Sequence, residues 1–135
     1  MITLGDAKTR KVARQFAKFC LVGGSGVLVN SGLLFMLVEW LHLRLFVASP
    51  VAVEASILNN FLWNNLWTFR ARSVQLPRLA KFNLVSLGGM AITTGVLYLL
   101  AEHGGLHYLV ANLIAIVVAT LWNFALNFLW TWGAA

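Results

Sequence analysis

The sequence predicts an all-α membrane protein, with four transmembrane helices formed by two tandem, parallel two-helix repeats. Three observations lead there. Of 135 residues, 60% are hydrophobic and only 10% are charged, with a mean hydropathy of +0.80. Four apolar stretches each approach the roughly 20 residues a helix needs to cross about 30 Å of hydrocarbon. At a shift of 63 residues the chain aligns with itself without a gap.

A soluble domain of this length has to cover its outside with polar groups, which four acids and ten bases cannot do. Lipid is therefore the expected solvent for much of the surface. The formal charge of +6 does not indicate nucleic acid, because the bases lie beside hydrophobic spans and no soluble face carries them. The single cysteine, Cys20, falls inside an apolar run and reads as a small lipid-buried side chain. The first apolar stretch is too long for the core of a cleavable signal and follows a basic segment, so it is expected to stay as an anchor.

The first span is expected over Phe19–Val38, where Cys20 is the one ionisable residue. The second runs from about Leu45 to Phe69 and holds one acid, Glu54; Ser49-Pro50 leaves open a later start. The third covers Phe82–Ala101 and the fourth about Tyr108–Trp132. Backbone groups in lipid must pair within the segment, and these runs are too long and too evenly apolar for barrel strands, so a β-barrel is excluded.

Nine of the ten bases fall in two places: Lys8, Arg10, Lys11, Arg14 and Lys18 before the first span, and Arg70, Arg72, Arg78 and Lys81 between the second and third. Positive charge is retained on the cytoplasmic side, so both segments and both termini are expected there, in the cytoplasmic (inner) membrane. The other two connections hold Arg44, Glu39 and Glu102 and are expected outside.

In the self-alignment, Ala17-Lys18-Phe19 meets Ala80-Lys81-Phe82, Gly26 meets Gly89, and Glu39 meets Glu102. Asn60-Phe61 meets Asn123-Phe124, Asn64 meets Asn127, and Leu66-Trp67-Thr68 meets Leu129-Trp130-Thr131. Roughly two in five positions from Ala17 to Phe69 are identical to their partners, more than shared hydrophobicity gives. The reading is one domain over 1–135, with repeats at about 14–72 and 78–135. Each repeat has an even number of spans, so both copies enter the membrane in the same direction.

Polar residues inside the spans are the candidates for function. Ser56, Asn60, Asn64 and Thr68 recur every four residues on one stripe, and Thr120, Asn123, Asn127 and Thr131 form a matching face. Amides facing lipid are costly, so these stripes face protein or a cavity, either as interhelical glue or as contacts to a ligand. Asn30 lies near the middle of the first span, with interhelical bonding its default role. Glu54, whose counterpart is Val117, is a membrane acid of the kind that serves a pathway, a proton or a cation, unless it is protonated or reaches water. Small residues Gly23, Gly24, Ser25 and Gly26, and Ser86, Gly88 and Gly89, allow close backbone approach. Trp63, Trp67, Trp130 and Trp132 read as an interfacial belt, with sugar stacking the sharper alternative. His42, His103 and His107 lack further ligands at metal spacing, no constellation for bond making is present, and neither enzyme, metal nor cofactor is expected.

Phe19 with Val22-Gly23 through Gly26 and Asn30, and the endings Asn60 to Phe69 and Asn123 to Trp132, resemble the GtrA-like family of four-span membrane proteins. The resemblance runs from about Gln15 to Trp132, and Glu54 to Phe61 is also similar to the membrane region of some polyprenyl-phosphate mannose synthases. Family endings usually carry a base after the second Asn, where this chain has Asn65 and Phe128. The resemblance implies translocation, or flipping, of a polyprenyl-phosphate-linked monosaccharide, such as an undecaprenyl-phosphate hexose, for cell-surface polysaccharide glycosylation. A glycosyltransferase partner would make that lipid. On this expectation Arg14, Lys18, Arg70, Arg78 and Lys81 attract the phosphate, while Glu54, Asn30, Asn60, Asn64, Asn123 and Asn127 line the path.

Four short helices enclose little room, so a homo-oligomer surrounding the path is expected. Two rival functions remain open at this point. One is a membrane anchor or assembly subunit of a polyprenyl-phosphate glycosyltransferase. The other is a small proton-coupled exporter using Glu54.

Overall fold

A computed structural model describes residues 3–133. Within them the chain is all helical, in four helices long and apolar enough to cross a membrane. Helix α1 spans Leu4–Phe35, α2 Leu45–Trp63, α3 Leu76–Tyr98 and α4 Tyr108–Leu126. Each runs on into five residues of wider π geometry: Met36–Trp40, Asn64–Thr68, Leu99–His103 and Asn127–Thr131 respectively.

α1 starts well before the first apolar stretch, so the basic segment is helical too. Thr3 accepts from the Asp6 amide and Asp6 accepts in return from Thr3, a capping box that satisfies two otherwise orphaned donors. Lys, Arg, Ala and Gln behind the cap are strong helix formers. Residues 4–18 thus extend the span by about 22 Å, and the bases lie on a rigid rod. α3 starts with Pro77 in its first turn, where the missing N–H costs nothing. α2 starts at Leu45 and passes through Pro50, so Ser49-Pro50 is not its start.

The helices form two compact units, Met1–Val74 and Gln75–Ala135. In the first, α1 packs antiparallel on α2 along Phe19, Val22 and Gly26, met by Ala48, Ala52, Ile57 and Phe61. In the second, α3 packs on α4 along Phe82, Val85 and Gly89, met by Ala111, Ala115, Ala119 and Phe124. The alanines recur every four residues and bring the backbones close, as membrane helices do without a hydrophobic drive between them. Only 11–22% of the most apolar window of each span is buried within the structure, which leaves most apolar side chains facing outward.

The wide helix ends have a common construction. Amides bond five residues back, Phe69 to Asn64 and Trp132 to Asn127, each at 2.9 Å. After three of the four, a residue takes positive φ: His42 (54°), Arg70 (47°) and Gly105 (70°). The amide after Arg70 then reaches the Asn65 carbonyl at 2.7 Å, so carbonyls that a plain helix end would orphan are paired.

Candidate functional site

The seam between α1 and α2 gathers the polar side chains of the first unit. Gly26 leaves room for the Asn60 amide: a Cβ there would lie 2.7 Å from Asn60 Nδ2. The Ser56 hydroxyl donates to the Gly26 carbonyl at 2.8 Å. One turn away, Asn59 Nδ2 donates to Ser25 Oγ at 3.0 Å and to Asn60 Oδ1 at 3.4 Å, while Ser25 donates to the Val22 carbonyl at 2.6 Å. Further along α2, Asn64 is 1% exposed and its Oδ1 accepts from the Thr68 hydroxyl at 2.7 Å.

The second unit repeats part of this and changes part. Gly89 admits Asn123, with Nδ2 2.8 Å from where a Cβ would stand, and Thr131 donates to Asn127 at 2.7 Å. Where the first unit has Ser25 and Asn59, the second has Gly88 and Trp122 at the same shift of 63. The indole of Trp122 lies on Gly88 and donates to the Val85 carbonyl at 3.3 Å. A small residue opposite a large one thus fills this contact in the second unit. The second unit thereby lacks the donor that serves Asn60 Oδ1, and among the described residues Asn123 Oδ1 finds no partner.

In the first unit Lys18 Nζ sits 5.2 Å from the ring centroid of Trp67, and in the second Lys81 Nζ sits 5.4 Å from that of Trp130. An ammonium over an indole face is worth about 0.5–1 kcal/mol where exposed and more where desolvated. Either ammonium still has donors left for an anion. Trp67, which carries Lys18, also lines a groove of about 550 Å³ in the first unit, together with Leu21, Val22, Ser25, Trp63 and Leu66. Its one polar lining residue, Ser25, is bonded to Asn59.

The sequence candidates are distributed as follows. Asn60 with Asn64, and Asn123 with Asn127, lie on the faces that pack against α1 and α3. Asn30 is partly buried one turn beyond Gly26. Glu54 is exposed on α2, off the face that carries Ser56, Asn60 and Asn64. Arg14 and Arg70 are exposed, whereas Lys18, Arg78 and Lys81 are partly buried. Thr120 bonds its own helix at the Ile116 carbonyl, and Ala119 takes the buried place on the stripe. Gly23 and Gly24 meet nothing within 4 Å, so close approach in the first unit falls to Gly26.

Sequence reasoning passed over Asn59 and the lysine–indole pairs. The second was signalled, since Lys18 with Lys81 and Trp67 with Trp130 coincide at the 63-residue shift. Asn65, standing where a base was expected, is fully buried and donates to the Ser73 carbonyl at 3.2 Å, holding the turn that follows α2.

Residues 18–132 match the family described as GtrA/DPMS, transmembrane domain. The chain is 41% identical over 121 residues to a dolichol-phosphate mannosyltransferase of Pyrococcus furiosus, covering 88% of this chain and 34% of the relative. It thus spans about a third of that protein's length. It is 29% identical over 121 residues to an uncharacterized membrane protein of Bacillus subtilis, YngA, covering 89% of this chain and 80% of the relative. With four spans and a match over most of its length, the chain is a multi-pass membrane protein and belongs to the GtrA/DPMS transmembrane-domain family.

Proposed function

We propose that this chain translocates a polyprenyl-phosphate-linked monosaccharide across the cytoplasmic membrane, with its base-bearing end and both termini in the cytoplasm. The observation that carries this reading is the order of groups along the first unit: an ammonium held on an indole, an apolar groove beside it, and a hydrogen-bonded chain from Ser25 through Asn59 to Asn60. A sugar phosphate entering hydrocarbon needs hydrogen-bonding groups to replace water, while its polyprenyl tail stays in lipid. Arg14, Arg70, Arg78 and Lys81 add screened, longer-range attraction for the phosphate, each worth less than the about 1 kcal/mol of a base in direct reach. Asn30, Asn64, Asn123, Asn127 and Glu54 serve the path, and a homo-oligomer would enclose it. The name of the Pyrococcus relative supports the lipid class.

Reconstitution tests the reading. Liposomes loaded with a fluorescent polyprenyl-phosphate hexose on the inner leaflet should expose sugar to an external glycosidase faster with the protein than without it. Glu54→Gln should slow exposure while leaving insertion intact. Unchanged exposure with wild-type protein would overturn translocation.

A second reading has its own support. The chain matches 34% of a protein named as a mannosyltransferase, so the same spans are found within a longer chain bearing that name. On that reading the protein anchors a separate glycosyltransferase, and the liposome assay gives no exposure while the partner co-purifies.

A further inference from the structure

We infer that the first unit alone forms the loading site for the lipid, with the phosphate of a phosphate-headed polyprenyl chain on Lys18 and the first isoprene units in the groove beside it. This rests on the proposed lipid class and adds where, and in which half, that lipid is held. Both units carry the lysine–indole pair, so the cation alone does not distinguish them. The walls do. Trp63, which lines the groove with Trp67, has Leu126 in its place in the second unit, and Ser25 has Gly88, against which Trp122 lies.

The first unit therefore presents two indoles, Leu21, Val22 and Leu66 as an apolar channel with a cation at its mouth. That combination complements a lipid whose charge is one compact phosphate next to a bulky apolar chain. A polyprenol without phosphate lacks the charge. Phosphatidylglycerol has a charge, but places a glycerol and two ester groups where the groove offers apolar walls. The Trp67 ring restrains Lys18 at the mouth, so less side-chain freedom is lost when the anion arrives.

Native mass spectrometry of full-length protein released from micelles measures this directly, with undecaprenyl phosphate, undecaprenol and phosphatidylglycerol as competing probes. Undecaprenyl phosphate is expected to be retained over both others. Lys18→Gln should lower its retention about fivefold, the worth of one base near the surface, and Lys81→Gln, whose base attracts the phosphate only at longer range, should lower it less than about twofold. Leu66→Trp fills the groove at a position 60% exposed, so folding does not depend on it, and should reduce retention of undecaprenyl phosphate and undecaprenol alike.

Equal retention of phosphatidylglycerol, an effect of Lys81→Gln as large as that of Lys18→Gln, or no effect of Leu66→Trp would each overturn the assignment. Retention is read without transport. Binding with these variant effects but no translocation leaves the site standing and removes the transport reading. Translocation by Lys18→Gln and Leu66→Trp at the wild-type rate does the reverse.

Discussion

At the scale of single residues, the tightest feature is the pairing of a glycine with an asparagine across each seam. Gly26→Ala places a methyl against the Asn60 amide, which has to swing away and give up its bond from Asn59. The expected loss is about 1–2 kcal/mol, in the range of an overpacked core. Because the cost comes from that one contact, Gly26→Ala should be nearly neutral in an Asn60→Ala background. Steric-trap unfolding in bicelles reads the coupling as a double-mutant cycle, and additive losses would refute it. The same logic joins Gly88 to Trp122: Gly88→Ser or Trp122→Asn alone should destabilise, whereas the double change rebuilds the Ser25–Asn59 pair of the first unit and should recover most of the loss. The asparagine stripes were legible because period four singles out one helix face. Their partners were not, because a seam register depends on which glycine opposes which amide, and Gly23, Gly24 and Gly26 look alike in sequence.

At the scale of elements, helix existence and length came from apolar runs, while the ends were set by local chemistry. Thr3 and Asp6 carry α1 back through the basic segment, which hydropathy alone treats as a flank. The wide C-terminal ends were hidden for a different reason. A π turn needs no special residue, and the left-handed position after it holds His42, Arg70 or Gly105. Only the glycine advertises itself. A side chain in the left-handed region costs about 1–2 kcal/mol, so Arg70→Gly should raise stability by about 1 kcal/mol and Gly105→Ala should lower it by a similar amount. Urea unfolding in mild detergent measures both shifts. A destabilising Arg70→Gly would mean that contacts of its side chain outweigh the backbone relief.

At the scale of the whole molecule, orientation decides what every polar group is for. Five bases lie on the first half of α1, and four lie between the wide end of α2 and the first turns of α3, while the other two connections hold one base and two acids between them. Moving Arg or Lys through the bilayer centre costs about 2.5–3.5 kcal/mol each on the insertion scale, and the cytoplasmic leaflet attracts each by about 1 kcal/mol. The proposed orientation therefore rests on the placement of the charges, since the helices alone fit either side. In a Cys20→Ser background, Arg72→Cys and Glu102→Cys report the two ends, since both positions are exposed. Glu102→Cys should react with a membrane-impermeant maleimide on intact cells, and Arg72→Cys only after permeabilisation. The reverse pattern would put Lys18 and Lys81 on the outer leaflet. A lipid made inside the cell would then meet the acid-bearing connections first, and the lysine–indole pairs would be positioned for release of the headgroup instead of its capture.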